Sequence, residues 1–355
     1  MKALVVSPGT QRTLRLTDLP LPKPDANQLL LRVLKVGICG TDRDIVEGFY
    51  GSAPAGSDYL VIGHESLCRV EESDDGSSFR KGQLVVPTVR RNCNENCQAC
   101  SLGMSDMCLT GNYKEHGIKE LHGFASEFAL TDYNFVVKLP DTLSETGVLL
   151  EPLTIAEKGI RIALAMQSAR LPIRPEKALV LGAGPVGLLA TALLRLMGLE
   201  VHTVATRPEE SLKAKLVRQT GAEYINSKLN PLQNLENRYD LVLELTGNVQ
   251  VAMEAQRLVR PNGIVSFLGI YREALASQDI GNLFTSLVLG NRIYFGSVNA
   301  NKQYFETGRD HLVEIQRMWP SFLSSMITGI YRPEDYEEAY MKKDEEEIKS
   351  IITFE

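Results

Sequence analysis

The chain is 355 residues long, with 44% hydrophobic and 23% charged residues. At roughly 150 residues per domain, the length implies about two domains, each able to bury its own core. The composition excludes wholesale disorder, collagen and a disulfide miniprotein. Lys plus Arg number 38 against 44 Asp plus Glu, a net charge of −6. No broad positive excess is available to displace counterions from phosphates, so nucleic acid is not an expected partner.

The opening residues show no apolar stretch followed by a small-residue cleavage site, and no window approaches the roughly 20 apolar residues of a membrane span. A cytoplasmic protein without a membrane partner is expected. Up to about residue 150 the chain reads as mainly β. The runs 29–38, 82–89, 127–132 and 135–140 are rich in Val, Leu and Phe and are punctuated by Gly, Pro, Asp and Asn. Long, irregular connections between them suit a partly open barrel carrying functional loops.

The texture then changes. Residues 151–169 carry apolar side chains at helical spacing, with Pro152 at the start. From 177 onward strands and helices alternate: strand 177–184, helix 185–198, strand 200–206, helix 207–221, strand 239–247, helix 249–263, strand 264–270 and a last strand at 291–300. This alternation predicts a doubly wound parallel sheet. The tail 303–355 reads as helix-rich and ends in a short apolar run.

Three groups of residues carry chemistry. Gly182-Ala183-Gly184-Pro185-Val186-Gly187 follows a strand and opens a helix, the context in which G-x-G-x-x-G holds a dinucleotide. The glycines allow a tight turn and close approach of the pyrophosphate, and the helix N-terminus offers free N–H groups. At the end of the second strand stand Thr206 and Arg207, where an NAD site usually offers an acid. A guanidinium there favours NADP, with NAD possible; the other reading gives the ribose to Glu209 or Glu210.

The six cysteines are uneven, with Cys93, Cys97, Cys100 and Cys108 inside sixteen residues. Four thiolates at this spacing suit a closed tetrahedral structural zinc. A redox pair, Cys97 with Cys100, is the competing reading, but it lacks the usual helix N-terminus. The third group is dispersed: Cys39 and Thr41 in GICGTD, His64 and Glu65 in GHE, and Glu151 in EPL. Singly these read as a small core residue, a structural histidine and a helix-start acid.

In this order, over essentially the whole length, the motifs resemble the zinc-dependent medium-chain alcohol dehydrogenase family. GICGTDRDIVEG, LVIGHE, VVPTVRR, EHGIKELHGF, EPLTIAEK and GSVNANKQYF look like its archaeal-type glucose 1-dehydrogenases. The resemblance implies a catalytic zinc held by Cys39 and His64, with Glu65 and Glu151 as carboxylate ligands, direct or through water. Thr41 would lie beside the substrate oxygen. Glu115 and Asn299 match positions that hold sugar hydroxyls or place the nicotinamide, with Thr41 and Glu151 also on the substrate. Thr246 and Gly269 join the glycine motif, Thr206 and Arg207 around the cofactor.

The first gap of the cysteine lobe is three residues where the family usually has two, so that loop must bulge. Val89 and Ile155 replace polar sugar contacts of some relatives, which loosens specificity toward glucose. Cys68 matches no ligand position, and His116 and His122 read as structural.

The resemblance thus implies an α/β fold with a GroES-like, partly open β-barrel catalytic domain over 1–152, its zinc lobe at about 90–110. A Rossmann domain binding NADP follows over 153–298, and 299–355 returns to the catalytic domain. The expected reaction is oxidation of a cyclic aldose, D-glucose first, at C1 to the lactone. A polyol or threonine dehydrogenase, or a silent NADP-binding structural or sensor protein, would share much of this sequence. A homodimer or homotetramer is expected, with the apolar run 283–298 as an edge that could pair across a two-fold axis.

Overall fold

The structure, a computed structural model, describes the chain apart from Asp75, Asn237, 273–279 and Lys343, and for Ile280 the backbone alone. Two compact units form. One gathers Met1–Glu151, Asn299–Val313 and Leu323–Glu355; the other gathers Pro152–Val298 and Glu314–Phe322.

The first unit is built around the strand Gln28–Ile38, buried along nearly its whole length. Such a continuous apolar run belongs to a strand covered on both faces. It pairs antiparallel with Glu65–Glu72, Phe128–Asp132 and the last strand of the chain, Lys349–Thr353. The sheet continues from Glu65–Glu72 through Leu84–Pro87 to Val136–Lys138, and on the other side to Ile327–Tyr331. The tail is therefore not only helical. After the helix Lys302–Met318 it supplies two strands to this sheet.

The second unit is a six-stranded, wholly parallel sheet. Its order is Glu223–Asn226, Glu200–Ala205, Lys177–Leu181, Tyr239–Glu244, Val259–Phe267, Ile293–Gly296. In chain order that is 3-2-1-4-5-6, with the reversal between Lys177–Leu181 and Tyr239–Glu244, the switch point of dinucleotide-binding folds. The Lys177–Leu181 and Tyr239–Glu244 strands are almost entirely buried.

Two helices are shorter than their patterns suggest. The one expected over 207–221 spans Leu212–Gln219, because the hydroxyl of Ser211 accepts from the Ala214 N–H at 3.3 Å and fixes the start there. The one expected over 249–263 ends at Leu258. Val259 already pairs with Tyr239, and Arg260–Gly263 loops out before Ile264 pairs with Leu241. Pro261 cannot continue a helix, and Asn262 takes a left-handed φ of 64°. Residues 283–298 divide between the helix Ile280–Leu289 and the edge strand Ile293–Gly296. Among the described residues, no helix is long and apolar enough to cross a membrane.

Candidate active site and dinucleotide site

Strand Gln28–Ile38 delivers Cys39 to the start of the short helix Gly40–Val46. Cys39 is extended there. Its Sγ accepts from the Thr41 N–H at 3.2 Å, and its own N–H donates to Asp42 Oδ2 at 2.9 Å. Gly37 lies opposite Glu65, and a Cβ at Gly37 would strike the Glu65 carboxylate. Gly63, at φ 88°, turns the chain so that His64 follows. The result sets His64 Nε2 at 3.3 Å from Cys39 Sγ, with Nδ1 at 3.3 Å from Asp42 Oδ1. Ligand atoms of Cys39, His64 and Glu65 all lie within 4.8 Å of one another.

The charges at this point call for a cation. Burial alone would lower the His64 imidazole, but Cys39 and Asp42 outweigh it and hold it well above its ordinary range. Burial raises the Cys39 thiol, against the pull of His64. A tetrahedral zinc with bonds of about 2.3 Å to sulfur and about 2.0 Å to nitrogen spaces its ligands about 3.5 Å apart. The Cys39–His64 separation fits that spacing. Asp42 stands where a carboxylate orients the far nitrogen of a metal-bound histidine. Glu65 differs from the other two: both its oxygens accept from Lys349 Nζ, at 2.8 and 2.6 Å, and the same ammonium donates to Ile38 O at 3.1 Å. Glu151 is buried but lies outside the 4.8 Å group. Burial, opposed by His64 and reinforced by Glu65, pushes its carboxyl up to about 7. Thr41 is half-buried, next to Cys39.

Asp42 and Lys349 escaped the sequence reading. A lone aspartate in a first helical turn looks like a cap, and Lys349 is 284 residues from its partner.

The other cysteines close a separate lobe. Cys93, Cys97, Cys100 and Cys108 place their sulfurs within 4.8 Å of one another, Cys93 and Cys100 at 3.7 Å. All are free thiols. Four sulfurs around zinc sit about 3.8 Å apart, so the set fits that ion. Burial pushes Cys100 up to about 12, whereas Thr110 overcomes burial at Cys108 and brings it down to about 6.

Glu115 and Asn299 meet. Asn299, at φ 57°, donates from Nδ2 to Glu115 Oε1 at 2.9 Å. Arg90 Nε and Nη2 donate to the same oxygen at 3.0 and 2.9 Å. Val89 is buried beside them, and its carbonyl accepts from the His116 N–H at 3.0 Å. The nearby histidines are occupied structurally. His116 Nδ1 meets His122 O at 2.6 Å, and His122 Nδ1 accepts from the Val61 N–H at 3.2 Å. Cys68 is fully buried, and burial raises its thiol to about 12.

In the second unit, Gly182 at φ 111° ends the strand Lys177–Leu181 and Pro185 opens the helix Pro185–Leu196. A Cβ at Gly187 would run into the Gly182 carbonyl oxygen, while a Cβ at Gly184 meets nothing within 4 Å. Open space at Gly184, at the N-terminus of the helix that Pro185 opens, is a cradle of the kind a diphosphate fills. Thr206 is exposed and Arg207 half-buried, its carbonyl accepting from the Tyr224 hydroxyl at 2.7 Å. Glu209 pairs with Arg218 at 2.6 Å, which leaves it poorly placed for a ribose. Thr246 N–H donates to Glu244 Oε1 at 2.8 Å, and Gly269 packs so closely that a Cβ would lie 2.5 Å from the Gly247 nitrogen.

The alcohol dehydrogenase GroES-like domain matches residues 25–141, and the glucose dehydrogenase C-terminus matches residues 144–354. The chain is 46% identical over 353 residues to Glucose 1-dehydrogenase 1 of Caldivirga maquilingensis, covering 99% of this chain and 98% of that one. It is 43% identical over 357 residues to Glucose 1-dehydrogenase of Methanocella arvoryzae, covering 99% of each. Among solved structures, Haloferax mediterranei glucose dehydrogenase in complex with NADP, Zn and gluconolactone superposes with a TM-score of 0.92 at 31% identity, covering 100% of this chain and 99% of that one.

Proposed function

The chain belongs to the medium-chain alcohol dehydrogenases, in their glucose dehydrogenase branch, and from that membership we propose that it oxidises a cyclic aldose, D-glucose first, at C1 to the lactone with NADP as acceptor and NAD as a weaker one. The observation that carries the sugar reading is the Glu115–Asn299 pair, whose carboxylate keeps one oxygen for a substrate hydroxyl.

Cys39 and His64 would hold the catalytic zinc, with Glu65 and Glu151 as carboxylate partners, direct or through water; Cys93, Cys97, Cys100 and Cys108 would hold the structural one. When bound, the catalytic zinc supplies Lewis acidity at the C1 hydroxyl, and NADP accepts the hydride from C1. Asp42 fixes the ring of His64. The Thr41 hydroxyl receives the proton of the C1 alcohol and passes it toward solvent. One C–H and one O–H bond of the sugar break, and the C1 carbonyl of the lactone forms. Glu115, Asn299 and Glu151 orient the ring hydroxyls. Gly182, Gly184, Pro185, Val186 and Gly187 cradle the diphosphate, Thr206 and Arg207 take the 2′-phosphate end, and Thr246, Gly269 and Asn299 line the cofactor. Residues 1–152 with 299–355 would serve as the catalytic part and 153–298 as the nucleotide part, except that Pro152 and Glu314–Phe322 gather with the second unit.

The assay is NADP reduction across aldoses, polyols, simple alcohols and threonine. Turnover of polyol or threonine with none of any aldose would reject the sugar reading. Intact turnover in Cys39→Ala or His64→Ala would reject the zinc mechanism. A cytoplasmic homodimer or homotetramer accompanies this reading. Phe284, Val288 and Leu289 are exposed on the helix beside the edge strand, which supports self-association there; light scattering gives the subunit count.

A further inference from the structure

Glu115 does not stand alone at the proposed sugar site. Its side chain and that of Arg90 are 6% and 5% exposed. The two residues face each other directly across the strand pair Arg90–Arg91 and Lys114–His116. Arg90 spends two donors, Nε and Nη2, on one oxygen, Oε1, and Asn299 adds a third. That oxygen is saturated. Oε2 has no hydrogen-bond partner among the described residues.

The guanidinium is itself fixed. Nη1 donates to the Asp106 carbonyl at 3.2 Å, and the plane stacks 3.6 Å from the centre of the Tyr113 ring. Asp106 lies in the short helical turn Ser105–Met107, two residues before Cys108. A planar cation with three donors engaged and one face stacked has little freedom.

We propose that Arg90 is a positioning residue for sugar recognition: it locks Glu115 through Oε1 so that Oε2 is left as a fixed acceptor for substrate hydroxyls, and it ties that acceptor to the four-cysteine lobe through the Asp106 carbonyl. This rests on the aldose reading of the same site. A carboxylate free to rotate would lose the orientational advantage and would offer water either oxygen. Lysine cannot replace the fork, since it offers a point charge and no plane to stack.

The test is steady-state kinetics on Arg90→Met, Arg90→Lys, Glu115→Gln and the Arg90→Met/Glu115→Gln double variant, with NADP affinity measured by fluorescence and folding by circular dichroism. Arg90→Met is expected to raise the sugar KM about tenfold or more, with kcat within about threefold and NADP affinity unchanged. Arg90→Lys is expected to fall between, since it keeps the charge but not the fork; it also serves if the methionine variant does not fold. The double variant is expected to be no worse than the poorer single, because both act through one oxygen. An unchanged KM in Arg90→Lys and Arg90→Met, a proportional fall of kcat and NADP affinity, or additive effects would overturn the proposal. The series is run on whichever of aldose and polyol the wild-type enzyme oxidises, so failure of the aldose reading and failure of the Arg90 reading register separately.

Discussion

Replacing Lys349 with methionine isolates a single buried charge. Lys349 and Glu65 are 1% and 2% exposed, and three hydrogen bonds of 2.6 to 3.1 Å end on the one ammonium. Methionine keeps the apolar stem and removes the cation, so Glu65 is left as an uncompensated buried carboxylate. Breaking such a pair from one side costs about 3–5 kcal/mol. In a unit of this size, each kcal/mol moves the melting temperature by about 2–4 °C, so a fall of roughly 6–20 °C is expected. Glu65→Gln added to Lys349→Met should recover a large part, because the orphaned charge is gone. Burial alone would lower the Lys349 pKa, but the Glu65 carboxylate outweighs it and raises it above 10.5. The raised folded value means this stabilisation is fully present below 10.5 and is lost only as pH climbs through the folded pKa. The wild-type advantage therefore holds through neutral pH. Thermal and urea unfolding of the proteins with the catalytic zinc removed would read it, so that no metal charge stands in for the ammonium. A Lys349→Met protein within about 1 kcal/mol of wild type at neutral pH, with no recovery in the double variant, would refute the reasoning.

The two motif glycines should separate. Gly187→Ala is expected to cripple folding of the nucleotide unit, whereas Gly184→Ala should fold normally and bind NADP about tenfold or more weakly, as titrated by fluorescence. Arg207→Ala should lower the NADP over NAD ratio of kcat/KM by about 10- to 100-fold through loss of charge-assisted bonds to the 2′-phosphate. Burial, with Arg91 adding to it, holds His116 well below its ordinary 6.5. The unfolded chain takes that proton first, so stability is intact above about 6.5 and falls as pH drops toward the lower folded pKa. Urea midpoints of wild type and His116→Gln between about pH 7.5 and 5 should converge in acid if this holds, and stay parallel if it does not.

Much of this was written locally. The strand Lys177–Leu181, its glycine turn and its helix are read from a few consecutive residues, because turn chemistry and apolar periodicity act over that range. The cysteine lobe is legible for the same reason. Three features were not. The helix after Asn248 stops at Leu258 because Val259 pairs with Tyr239, a long-range choice that periodicity does not encode. Arg90 sits in VVPTVRR with no sign that it would meet Glu115, 25 residues on. Lys349 looks like an ordinary polar position in a terminal strand; only register, Ser350 opposite Ile38, turns it toward Glu65.

That last strand also dictates an order of events. Lys349–Thr353 sits against the central strand Gln28–Ile38, so the sheet next to Cys39 and His64 cannot be completed until Lys349–Thr353 has been synthesised. The parallel sheet of residues 177–296 has all its strands well before that moment and can fold while translation continues. During that interval the Gln28–Ile38 edge lacks its last partner and Glu65 lacks its counter-charge. A chain that stops before Lys349 therefore carries a complete parallel sheet, an open edge on Gln28–Ile38 and Glu65 without its counter-charge, a species disposed to aggregate rather than to act.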